Sequence, residues 1–258
     1  MKMKMAFGAA LLSLLASFTQ AAEQQVVRLA SDFTYPPFNY KNADGKPVGF
    51  DIEIADALCA QMKVKCEWVT QDWDGLIPAL LVRKADAIMA SMRITEDRKK
   101  KVLFTHKYYK TPARFVARED AKLVISKAGL KGKTIGVQRG TIHDNYVSDK
   151  FGDVVNIKRY SGQDEVYLDA ANGRLDAIFG NSDQLLLAFL EKDSGKGFGF
   201  VGEPVTDPAY IGEGTALALR KGDEKLAQQF NQAIAAIRAD GTYDKIAGKY
   251  FSFDIYGD

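Results

Sequence analysis

The chain has 258 residues, 47% hydrophobic and 26% charged, with 35 basic and 33 acidic side chains and only two cysteines. This composition excludes a disordered chain, a collagen-like fibre and a small disulfide scaffold. The length allows one large domain or two smaller ones, and the near-balanced charge, with no basic stripe, argues against nucleic acid as a partner.

Residues 1–22 read as a secretory signal peptide. Lys2 and Lys4 start it, 5–16 form an uncharged apolar run, and SFTQAA ends it, so cleavage after Ala21 or Ala22 is expected. The run is too short to span a membrane, and no cysteine at the cleavage site suggests a lipid anchor. Removing Lys2 and Lys4 leaves 33 basic against 33 acidic residues.

The periodicity then predicts a strand at 26–31, a loop through Pro36 and Pro37, a helix at 51–62, a strand at 66–70 and a short helix at 76–82. A strand at 86–90 leads to Thr95, a good N-cap for the turn that follows. The run DRKKK (97–101) reads as a solvated helix end. Residues 111–117 are extended. A second block has strands at 134–138, 154–159 and 175–179, with helices at 141–150 and 163–173 and another over SDQLLLAFLEK. The Gly-rich GKGFGF (195–200) reads as a connection to a strand at 215–220 and two helices ending near Tyr250. Alternating strands and helices point to α/β layers with parallel sheets. Cys59 and Cys66, in an exported chain, are expected to pair. Their spacing fits no zinc pattern, and only His106 and His143 could assist, so no metal is expected.

Two segments echo each other. KADAIMAS (84–91) and RLDAIFGN (174–181) each run from a basic residue through Asp into an apolar strand, ending in Ser91 and Asn181. Equivalent strands in two lobes would put both residues at carboxyl ends, where open α/β sheets bind ligands. Arg98, after the first of these strands, could grip a carboxylate with two parallel hydrogen bonds. Thr141 and Ile142 start a helix whose backbone N–H groups suit the same anion. Asp32, Tyr35 and Trp73 flank strand ends in the first block. The two rings could sandwich an extended side chain, and Asp32 could face a cation. No GxSxG, HExxH or phosphate-loop motif is present, so no enzyme or cofactor is expected. Asp51 and Glu53 sit at a helix start, where they complement the dipole.

GFDIEIADALCAQM (49–62), SDFTYPPF, DWDGLIPAL, DAIMASMRITEDR, LKGKTIGVQRGT, GRLDAIF and ADGTYDKIAGKYF together resemble the bacterial extracellular solute-binding proteins for polar amino acids, in particular those for lysine, arginine, ornithine and histidine. The resemblance covers about 24–258. It implies a two-lobed α/β periplasmic binding protein fold (type II), with two hinge strands and a ligand cleft between the lobes. The first lobe would comprise 23–111 and 204–258, the second 112–203. It further implies a periplasmic monomer that delivers an amino acid to a membrane ABC permease. In that role Arg98, with the backbone at Thr141 and Ile142, would hold the α-carboxylate and Ser91 the α-amino group. Tyr35 and Trp73 would stack on the ligand side chain and Asp32 would face its cationic end. The Cys59–Cys66 pair fits the disulfide of the basic-amino-acid members.

Three positions depart from the family pattern. Asn181 stands where most members have an Asp for the α-ammonium, Arg93 where Ser is usual and Ile142 where Thr is usual. Two readings stay open. Arg93 could turn to solvent while Asp183 replaces Asn181. Alternatively the amino pocket is less acidic and takes an N-modified, opine-like derivative. A ligand sensor docking on a receptor and a cyclohexadienyl-dehydratase-like enzyme are the alternatives to transport.

Overall fold

The computed structural model describes residues 25–257; the expected signal peptide lies outside the described residues. In chain order the first half holds β1 (Val26–Ser31), β2 (Thr34–Tyr35), β3 (Asn39–Lys41), β4 (Pro47–Val48), α1 (Phe50–Met62), β5 (Lys65–Thr70), α2 (Leu76–Leu81), β6 (Ala87–Ile88), α3 (Glu96–Lys99) and β7 (Leu103–Phe104). Next come β8 (Ala113–Arg118), β9 (Thr134–Gln138), α4 (Ile142–Phe151), β10 (Asn156–Tyr160), α5 (Gln163–Ala171), β11 (Ala177–Asn181), α6 (Ser182–Leu185) and β12 (Phe198–Val205). The chain closes with α7 (Pro208–Ile211), β13 (Ala218–Leu219), α8 (Glu224–Ala239) and α9 (Thr242–Ala247).

These strands form two five-stranded sheets, ordered β5-β1-β6-β13-β7 and β10-β9-β11-β8-β12, plus a small β2-β3-β4 sheet. Each large sheet is covered on both faces, which is why β1, β9 and β11 read as nearly continuous apolar runs. On the first sheet, α1, α8 and α9 bury Phe50, Ile54, Leu58, Phe230 and Ile234 against one face. Leu76 and Leu80 of α2 join Ala30 and Ile88 on the other. In the second sheet neighbouring residues part company: Phe115 and Phe179 pack with Val147 and Phe151, while Val116 and Ile178 pack with Val166, Leu185 and Phe189. That is the period of two expected of strands.

The structure corrects the expected all-parallel sheets. β8 pairs antiparallel with both β11 and β12, and β13 antiparallel with both β6 and β7. The Gly-rich segment after 195 is not simply a connection, because Phe198–Val205 forms an edge strand along β8. The loop expected around Pro36 and Pro37 holds the β2–β3 hairpin. Cys59 and Cys66 are bonded, tying the end of α1 to the start of β5 with their Cα atoms 6.1 Å apart.

The chain leaves the first sheet after β7 and re-enters it at β13. The two crossing segments run side by side: Tyr108 N–H donates to the Thr215 carbonyl and Thr215 N–H to the Tyr109 carbonyl, both at 2.8 Å. Val205 still pairs with Ala113, and Ile211 is buried in the core of the second sheet. Among the described residues no helix is long and apolar enough to cross a membrane, and no cluster of His, Cys, Asp or Glu could hold a metal ion.

Candidate functional site

The carboxyl ends of β1, β6 and β9 meet at a partly enclosed cavity of about 390 Å³. Asp32, Tyr35, Trp73, Ser91, Arg93 and Arg98 line it from the first-sheet side. Gln138, Thr141, Ile142 and His143 line it from the second. This is the crevice where open α/β sheets take ligands.

Arg98 is placed by Thr95, whose side chain accepts from the Arg98 N–H and caps α3. Its guanidinium donates through Nη1 to the Arg93 carbonyl at 3.1 Å and lies 5.3 Å from the centre of the Trp73 ring. Burial and the neighbouring Arg93 charge lower its pKa to about 10, so it remains a cation at neutral pH. Among the described residues it forms no ion pair with a carboxylate. The basic run around it is otherwise solvated: Lys99 pairs with Glu96 and Glu213, and Lys100 with Asp97.

Ser91 has a left-handed backbone (φ 53°). Its Oγ donates to Asp51 Oδ2 at 2.8 Å. Asp51 also accepts from Asn39 Nδ2 (2.8 Å) and from the Tyr108 hydroxyl (2.9 Å). With its proton committed to Asp51, Ser91 offers the cavity lone pairs and therefore suits an N–H donor. Asp51 is fully buried and more than a complement to a helix dipole, since it fixes the orientation of Ser91.

On the opposite wall, Thr141 caps α4 by accepting from the Asp144 N–H and donates its own hydroxyl to the Gln138 carbonyl. Gly140 makes the preceding turn at φ 69°, where a side chain would be strained. Among the described residues, three polar side-chain contacts beside the cavity join the walls. Gln138 Nε2 donates to Asp32 Oδ2 (2.9 Å), Trp73 Nε1 to the Gly140 carbonyl (3.1 Å), and Arg139 pairs with Asp74 at 2.7 Å. Asp32 also accepts from Thr34, and burial raises its pKa despite both bonds.

Arg93 corrects the expectation of a solvent-facing residue, being only 3% exposed. Its Nη2 donates to Thr111 Oγ1 and its Nη1 has no partner. Asn181 is 1% exposed and lies behind the lining: its Nδ2 bonds the same Thr111 hydroxyl, while its Oδ1 caps α6. Eight of the nine residues singled out from sequence thus face one cavity. Gln138, His143, Thr111 and Asp51 were not singled out as ligand contacts. Of these, only Gln138 carries a signal, since it ends β9 as Ser31 ends β1, one residue before Asp32. His143 is buried and held neutral, its pKa lowered to about 3 by burial and by Arg93 and Arg98.

Residues 27–253 match the family model of bacterial extracellular solute-binding proteins, family 3. The chain is 52% identical over 258 residues to the L-arginine-binding protein of Pseudomonas aeruginosa, covering 100% of this chain and 99% of that one. It is 41% identical to the lysine/arginine/ornithine-binding periplasmic protein of Escherichia coli over 94% of both. An arginine-specific periplasmic binding protein from Salmonella typhimurium superposes with a TM-score of 0.81 at 32% identity, covering 88% of this chain and 100% of that one.

Proposed function

Because the chain belongs to the bacterial extracellular solute-binding proteins of family 3, we propose that it is the exported substrate-binding component of an ABC importer. Its ligand is a basic amino acid (arginine, lysine, ornithine or histidine) or an N-modified, opine-like derivative of one. The observation that carries this reading is the Arg98 guanidinium, set between the two walls with no carboxylate partner among the described residues.

An α-carboxylate on Arg98 would be bridged to the N–H groups at the start of α4, so it contacts both walls. Ser91 accepts from the α-nitrogen. The side chain runs between Tyr35 and Trp73 toward Asp32. These contacts exist together only when the lobes are closed, so the ligand favours that state by its differential affinity. The lobes on this reading are those expected from the sequence, 23–111 with 204–258, and 112–203; the residues just after 203 still reach the second sheet, where Val205 pairs with Ala113 and Ile211 is buried. The processed chain acts as a periplasmic monomer, its signal peptide removed after Ala21 or Ala22, and docks on a membrane permease. Binding, not turnover, is the activity.

Titration calorimetry of the purified protein against arginine, lysine, ornithine, histidine and glutamate tests the assignment. A basic ligand at 100 times its Kd should add about 2.7 kcal/mol of stability. Arg98→Ala should weaken every α-carboxylate ligand by at least about 30-fold, the loss expected when a buried charge pair is broken. Retained affinity would remove Arg98 from the site, and preference for glutamate would remove Asp32.

A further inference from the structure

Arg93 is a buried cation with half of its guanidinium uncommitted. Nη2 is taken by Thr111, and the ring of Tyr109 lies 5.9 Å from Cζ. Nη1 is buried without a hydrogen bond. His143 is 8% exposed, and its Nε2 likewise has no partner. Both residues face the cavity that holds Arg98.

The acids nearby do not neutralise this pair. Asp51 is occupied by Asn39, Ser91 and Tyr108, and Asp32 by Gln138 and Thr34. Asp183 feels the charge of Arg93 but forms no ion pair with it among the described residues, and its Oδ2 is also unpartnered. Asn181, bonded to the same threonine as Arg93, is neutral. An uncompensated buried cation is costly, and a free α-ammonium placed beside it would add repulsion. A carboxylate there would do the reverse, accepting from Arg93 Nη1 and from His143 Nε2 in the neutral tautomer that carries its hydrogen on that nitrogen.

We propose that Arg93 and His143 form a second anion subsite, so that the preferred ligand carries two acid groups: the α-carboxylate on Arg98 and a carboxylate borne by a substituent on the α-nitrogen. A secondary amine at that position keeps N–H groups for Ser91 and Asp183. The inference rests on the assignment of Arg98 to the α-carboxylate and narrows the ligand class.

Titration with arginine, N2-ethylarginine and N2-(1-carboxyethyl)arginine isolates the added acid group from the added bulk. The carboxyethyl compound should bind at least about 10-fold tighter than the other two, the scale of a charge-assisted hydrogen bond. Arg93→Ser should abolish that advantage, bringing the affinities for arginine and the carboxyethyl compound together. Arg93→Lys, which keeps the charge but loses the fork, and His143→Gln should each reduce the ratio of the two affinities several-fold. Arginine binding as tightly as the carboxyethyl compound overturns the subsite and leaves Arg98 in place. Equal losses on both ligands make Arg93 structural and also overturn it. No binding by any of the three compounds overturns the Arg98 assignment together with the subsite.

Discussion

Asp51 shows how one carboxylate serves both the core and the cleft. Three donors converge on it, yet burial outweighs them and raises its pKa to about 6. In the unfolded chain the group titrates near 3.9. The folded protein therefore binds the proton more tightly, and stability falls as pH rises from about 4 to 6 and then levels off. A two-unit displacement corresponds to about 3 kcal/mol. Asp51→Asn removes this dependence and adds a fixed cost of about 1–3 kcal/mol, because an amide cannot accept from all three donors. Urea unfolding of both proteins at pH 4 and pH 7 should show the wild type losing about 2 kcal/mol relative to the variant across that interval, since the unfolded group is already half ionised at pH 4. Parallel profiles would mean that Asp51 titrates in the folded protein as it does in the unfolded chain, with no upward displacement.

At the scale of elements, legibility followed length and apolar continuity. β1 and β9 are read from sequence with their observed bounds, because sheets covered on both faces demand uninterrupted apolar runs closed by polar residues. β12 escapes because Gly199 and Gly202 disguise it, although Phe198, Phe200 and Val201 carry its contacts with β8. β2, β4 and β7, at two residues each, are too short to show any period, while β13, equally short, is found inside the apolar run expected as a strand at 215–220. Most of the candidate site is legible because the strand ends mark it and the family resemblance assigns the roles. Asp51 and His143 escape as contacts because lone polar residues on helices carry no spacing signal; only packing reveals that they are buried. Caps are the exception among local signals, and α4 offers a test of one. Thr141→Ala loses the bond to the Asp144 N–H and should cost about 1 kcal/mol in urea unfolding, while Thr141→Ser should cost only a few tenths. Equal losses would assign the effect to the methyl group instead.

For the whole molecule, the contacts between the walls divide into two electrical classes. The Arg139–Asp74 pair is about half exposed on each side (50% and 45%), so its contribution to closure should be about 0–1 kcal/mol and screened by salt. The Gln138–Asp32 bond lies inside the cleft, where added ions have little reach. Because ligand binding is coupled to closure, weakening either contact lowers affinity without touching the α-carboxylate site. Asp74→Ala should weaken the tightest ligand of the amino-acid panel by about 2–5-fold in 50 mM NaCl. In 1 M NaCl, where the screening length is about 3 Å, that ratio should approach one. Gln138→Ala leaves Asp32 with Thr34 alone in the closed form, so its loss of affinity, at least about 10-fold for a bond to a charged group, should persist at both salt concentrations. Calorimetric Kd values for the three proteins at the two salts decide the matter. A salt-independent Asp74→Ala ratio would show that the surface pair does not bias closure electrostatically. A Gln138→Ala ratio that approaches one in 1 M NaCl would place that bond within reach of the added ions.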